Sequence, residues 1–158
     1  MNRKIPASVL FLVTVIVMNL QGAYASEIPL SRGQSVYIAV YSHIYSGDRE
    51  HRFDLAATLS IRNTDMRHPI TVFSVTYYDS EGKKVSEYLT EPVQIAPLGT
   101  IRYTIKESDK RGGSGANFLV KWKSGKAVNI PIMESIMIGT KNQQGISFTS
   151  RGQVLQEK

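Results

Sequence analysis

The sequence predicts an all-β fold, an antiparallel, immunoglobulin-like β-sandwich of about eight short strands. Three observations predict it. Apolar and polar residues alternate in run after run, turn-forming residues separate the runs, and no segment sustains a helical period.

Val36, Ile38 and Val40 open the series on one side of an extended segment, because successive side chains of a strand face opposite ways. In "FDLAATLSIRN" (residues 53–63), Leu55, Ala57, Leu59 and Ile61 share one face while Thr58, Ser60 and Arg62 share the other. "PITVFSVTYYD" (residues 69–79) is rich in β-branched and aromatic side chains, which suit a pleated surface. "DSEG" (residues 79–82) has Asp first and Gly last, the pattern of a type I turn, and predicts a hairpin between residues 70–79 and 83–89. "PLGT" (residues 97–100) and "KSGK" (residues 123–126) are predicted corners. Alternation returns in Ile101, Tyr103 and Ile105, in Phe118, Val120 and Trp122, and in Val128, Ile130 and Ile132. Pro131 breaks the last of these, which predicts an edge strand or a bend at a bulge. Residues 133–138 are compatible with strand or helix. "TKNQQG" (residues 140–145) predicts a final hairpin, and "QVLQEK" (residues 153–158) a loosely held end. An eight-stranded outer-membrane barrel is the main rival. It needs strands of about 9–11 residues and aromatic girdles; most runs here are shorter, and the tyrosines form no girdle.

The first 25 residues read as a secretory leader. Arg3 and Lys4 precede the apolar run "PASVLFLVTVIVM" (residues 6–18), and "AYA" (residues 23–25) supplies small residues for cleavage before Ser26. As an uncleaved membrane anchor the run is short, since a spanning helix needs roughly 20 apolar residues. Residues 26–158 then form a single domain, periplasmic or secreted, with no stable membrane insertion after cleavage. Cysteine is absent. Packing alone must therefore hold the fold, and no lipid-attachment thiol exists. The net charge of +6 includes the leader's Arg3 and Lys4. The other basic residues are scattered rather than set in a stripe among aromatics, which argues against nucleic acid as a partner.

The glycine-rich stretch "SDKRGGSGANFLVKW" (residues 108–122) invites three chemical readings. A phosphate-cradling P-loop needs a Lys-Ser or Lys-Thr pair and then a helix; Ala116 and Asn117 lead into a strand instead. A nucleophile elbow needs a glycine where Ala116 stands, and its histidine follows the serine. Here His43, His51 and His68 all precede Ser114. The order His43, Asp65, Ser114 matches a chymotrypsin-like triad, but that fold needs two barrels and a longer chain. A sharp conformational corner remains, with an anion-binding nest beside Lys110 and Arg111 as the alternative. The three histidines have no tight zinc spacing and are expected in solvent-facing loops. No catalytic, cofactor or metal residue is assigned.

"YSHIYSGDREHRF" (residues 41–53) reads as one long connection carrying aromatic faces beside polar groups, a composition used for recognising sugars and partners. The candidate partner surface is therefore Tyr41, His43, Tyr45, Asp48 and Arg49, joined by Lys110, Arg111, Ser114 and Asn117. "TKNQQGISFTSRG" (residues 140–152) is either an exposed binding edge or the closing strand. "SRGQ" occurs at residues 31–34 and 150–153, too little to claim duplication.

The phrases "VYSHIYSGD", "LSIRNTD", "VTYYDSEGKKV", "GGSGANFLVKW" and "IMIGTKNQQGISFTSRG" resemble, in order, an uncharacterised family of exported bacterial proteins, domain of unknown function 3124. The resemblance runs from about Leu30 to Val154. It implies bacterial origin and export, and brings no activity and no catalytic residues. "RNTD…PITVFSVTYYDSEGKKV…APLGT" more loosely resembles the water-stress and hypersensitive-response sandwich domains. The expectation is an exported, non-enzymatic binding or accessory module of the cell envelope, its partner an envelope protein or polymer. The alternatives are a small hydrolase of envelope polymers, with residues 41–53 and 112–117 as cleft walls, and a stress-protective sandwich without a discrete site.

Overall fold

The computed structural model describes residues 28–141 and 143–157. The expected leader lies outside them. Among the described residues there is no helix. Twelve strands run in chain order: β1 (Leu30–Val40), β2 (His43–Ser46), β3 (His51–Asp54), β4 (Ala56–Arg62), β5 (Ile70–Tyr78), β6 (Lys84–Glu87), β7 (Val93–Ile95), β8 (Thr100–Ile105), β9 (Ala116–Asn129), β10 (Ile132–Lys141), β11 (Gln144–Arg151) and β12 (Gln153–Glu157). They form two antiparallel sheets packed face to face. The first has the order β12-β1-β9-β5-β6, with β7 also on β5, and the second the order β11-β10-β4-β8. Strands β2 and β3 form a separate hairpin.

The alternating residues build the core as the period of two requires. Across the first sheet, register sets Ile38 beside Phe118 and Phe118 beside Tyr77; the next row is Val36, Val120 and Val75. Across the second, Met137, Ala57 and Ile105 form one row and Met133, Ile61 and Ile101 another. Directly opposed side chains of this kind are the unit of sheet stabilisation. Leu55, Leu59, Ile61, Trp122 and Tyr77 are wholly buried between the layers.

The two shortest of the several crossings between the sheets follow β9 and β11. Buried Pro131 separates β9 from β10, so the break is a passage between layers rather than an edge strand or a bulge within one. Gly152 separates β11 from β12, with its N–H donating to the Met133 carbonyl at 2.8 Å. A β-carbon there would come within 2.7 Å of Val36 Cγ1, so a side chain would wedge the layers apart.

Other expectations are corrected. Residues 153–157 are not loosely held: β12 pairs with β1, from Gln34↔Glu157 to Tyr37↔Gln153. "KSGK" does not reverse the chain. It sits in a bulge of β9, where β1 passes from Ser31↔Val128 to Gly33↔Lys123. Residues 41–53 are not one loop but contain the β2–β3 hairpin. The strands outnumber the expected eight because β2, β3, β6 and β7 are only three or four residues long. The "DSEG" turn forms as expected, with Gly82 N–H donating to the Asp79 carbonyl at 3.1 Å.

The strands define two ends. Val40, Ala56, Tyr78, Ala116 and Lys141 stand at the end that carries β2–β3, the hairpin end. Leu30, Arg62, Ile70, Asn129 and Ile132 stand at the other, the basal end. At about 3.3 Å per residue, eleven-residue β1 separates them by roughly 35 Å.

Candidate functional site at the hairpin end

Short polar side chains and the backbone tie two distant segments together here. The Ser42 N–H and Oγ both donate to the Gly113 carbonyl, at 3.1 and 2.9 Å, across 71 positions of sequence. Leu55 N–H donates to the Ser42 carbonyl at 3.0 Å and closes the base of the hairpin. Lys110 Nζ reaches Asp54 Oδ2 at 2.6 Å, while Arg52 Nε holds Asp54 Oδ1 at 2.7 Å. These hydrogen bonds, from Lys110 first and Arg52 second, hold the Asp54 carboxyl below the usual carboxylate range.

The glycine-rich stretch is a packed corner. The Gly112 carbonyl accepts from Ser80 N–H at 3.0 Å and Ser80 Oγ at 3.1 Å, and Ser80 Oγ accepts from Gly115 N–H at 2.9 Å. Gly113 has φ +80°, a conformation open to glycine, and a β-carbon on Gly112 would overlap the Tyr77 hydroxyl. Burial pushes the Tyr77 phenol up to about 12.

The candidate residues are dispersed over several settings. His43, Tyr45 and Lys110 gather around Asp54. His43 lies opposite Asp54 in the hairpin register, and its Nε2 is 3.1 Å from the Tyr45 hydroxyl. Contrary to the expectation of a solvent-facing loop, His43 is a buried strand residue; burial, then nearby Arg52, pushes its imidazole down. Asp48 and Arg49 stand exposed at the hairpin tip, between Gly47 at φ +70° and Glu50 at φ +49°. Arg111 is turned onto Asp109, with Nε 2.9 Å from Oδ1 and Nη2 2.6 Å from Oδ2. Tyr41 and Asn117 serve the fold. The Tyr41 ring packs edge-on against Phe148 at 5.7 Å, and Asn117 sits in β9 between Ala39 and Tyr78. Ser114 is half-buried on the corner itself.

Two shallow depressions flank the hairpin. One is lined by Asp54, Glu107, Ser108 and Lys110. The other, about 330 Å³, is lined by Ser46, His51, Arg52, Phe53, Lys141 and Gln144. The triad order His43, Asp65, Ser114 is not assembled: Asp65 lies at the basal end, where its oxygens accept from the N–H groups of Arg67, His68 and Asn129. His68 is there too, 3.3 Å from Asp65, so the three histidines do not converge.

Sequence reasoning missed Ser42, Asp54 and Ser80, the residues that join the loops. It also missed the basal knot. Asn63 Nδ2 donates to the carbonyls of His68, Ile95 and Ala96 at 2.9–3.2 Å, and Asn63 Oδ1 accepts from Asp65 N–H at 3.0 Å. "NTD" directly after a strand is an available signal, because Asn and Asp side chains cap their own turns.

No curated protein matches the chain. A solved chain described as "Crystal Structure of Thermotoga maritima 1070" aligns with it at 12% identity and a TM-score of 0.48, over 81% of this chain and 97% of that one. The model of the family described as "Protein of unknown function (DUF3124)" matches residues 33–155, and the chain belongs to that family.

Proposed function

We propose that the protein is an exported, non-catalytic binding module of the cell envelope that engages an envelope protein or polymer at its hairpin end. One observation carries this reading: two segments singled out by composition meet there, locked by the Ser42–Gly113 and Lys110–Asp54 bonds. Tyr45, Asp48, Arg49 and Lys110 are exposed around that junction, while its backbone is fixed. A preorganised polar surface loses little freedom on binding.

The hydrolase reading keeps one specific support. The two segments are neighbours, and Asp54 and Glu107 line the same depression. Against it, a general acid needs a raised pKa, whereas two cations hold Asp54 ionised.

Immobilised wild-type protein and the pair Arg49→Glu/Lys110→Glu, each presented to the host's envelope fraction, test the proposal. Retention of one discrete component by wild type and its loss in the variant is the expected result. Release of new polymer ends, abolished by Asp54→Asn, would replace binding by hydrolysis. Retention of nothing by either would leave the stress-protective reading.

A further inference from the structure

Five of the nine large hydrophobic side chains exposed among the described residues stand at the basal end: Ile28, Leu30, Met66, Leu98 and Ile132, from 48% to 75% accessible. They are contiguous. Leu98 N–H donates to the Asp65 carbonyl, next to Met66; Met66 and Leu30 line one depression, and Ile28 and Ile132 another that shares Asn129. Leu98 is the sharpest anomaly. It occupies the third position of the turn Ala96-Pro97-Leu98-Gly99, closed by Gly99 N–H to the Ala96 carbonyl at 2.9 Å, with φ +59°. Glycine or asparagine is normal there; a leucine strains the backbone and points 67% of its surface outward.

Exposed Arg32, Arg67 and Lys126 stand at the same end, Arg67 in the depression that Leu30 and Met66 line. Of the carboxylates beside them, Glu134 is paired with Arg62 at 3.4 Å, while Asp65, held by three backbone N–H groups, and Glu157, held by Gln34, keep their charge, which leaves the cations in excess. Apolar tips beside an excess of cations match a bilayer surface, whose headgroup phosphates are negative and whose acyl boundary is apolar.

We propose that the basal end docks on an anionic lipid surface, with Met66 and Leu98 entering the headgroup region and Arg32, Arg67 and Lys126 facing lipid phosphate. The hairpin end is thereby directed away from the bilayer. This docking goes beyond the partner binding proposed above and stands without it.

The chain lacks cysteine, so a single introduced thiol takes a fluorophore uniquely. The chain from Ser26 onward retains all twelve strands. It is labelled at Met66→Cys or, as control, at Tyr45→Cys, and mixed with phosphatidylglycerol–phosphatidylcholine vesicles, with phosphatidylcholine vesicles, or with inorganic phosphate alone. The Met66 label shifts to the blue on the anionic vesicles only and loses the shift at high salt, while the Tyr45 label does not respond. Unlabelled Leu98→Gly melts higher than wild type, because the strain is relieved, yet partitions onto the anionic vesicles about tenfold less. No Met66 shift on any vesicle, an equal shift at Tyr45, or undiminished partitioning of Leu98→Gly overturns the proposal. So does a Met66 label already shielded without lipid in a protein that sediments as a dimer, since a second copy would then cover this end.

Discussion

Gly112 and Tyr77 meet with no room for a β-carbon between them, and the contact fixes the corner that carries Gly113 against Ser42. Gly112→Ala is expected to destabilise the fold by about 2 kcal/mol or more, because a buried ring must move. Urea unfolding followed by the emission of buried Trp122 measures it, and an unchanged midpoint would mean that the corner is not packed as described. Asp65 acts at the other end. Three backbone N–H bonds, led by those from Arg67 and His68, depress its carboxyl from the ordinary 3.8 to about 2. The folded form therefore binds this proton more weakly than the unfolded chain does. The stability it supplies is full above the ordinary carboxylate range and is lost as pH falls from about 4 towards 2. Unfolding midpoints across that window should drop more steeply for wild type than for Asp65→Asn, which should already be less stable at neutral pH. Parallel slopes would remove Asp65 from the account.

Among the elements, β12 tests how the sandwich is closed. All five of its side chains are exposed, yet its backbone pairs with β1 beyond the Gly152 crossing. Deleting residues 153–158 strips that pairing from β1 and should lower stability by about 1–2 kcal/mol, or roughly 5 °C in Tm; an unchanged melting curve would show that the segment carries no load. The same strand shows where sequence legibility stops. β4, β5 and β9 could be read because burial on one face imposes a visible period of two. β12 owes its order to backbone hydrogen bonds, which leave no side-chain period, and the four-residue strands β2 and β3 hold too few apolar positions to show one. The candidate site was half legible for the same reason. Its composition marked Tyr45, Asp48, Arg49 and Lys110, but the Ser42–Gly113 and Lys110–Asp54 bonds depend on sheet order that no local pattern encodes. His43 was read as exposed because a polar residue in a polar stretch gives no sign that a neighbouring tyrosine and a strand will bury it.

As a whole the molecule is polarised along its strands. One end is polar, with a hairpin and a glycine corner bonded into one surface; the other shows exposed apolar tips, Leu98 on a strained turn among them, beside exposed basic residues. The central claim is that these ends have different tasks, partner binding at one and lipid contact at the other. Hydrogen exchange of the chain from Ser26 onward, with and without phosphatidylglycerol vesicles, tests it most directly. Slowed exchange confined to residues 28–33, 64–68, 96–99 and 124–132, with residues 43–54 unaffected, is the predicted result. Slowing centred on residues 43–54, or none anywhere, would contradict it.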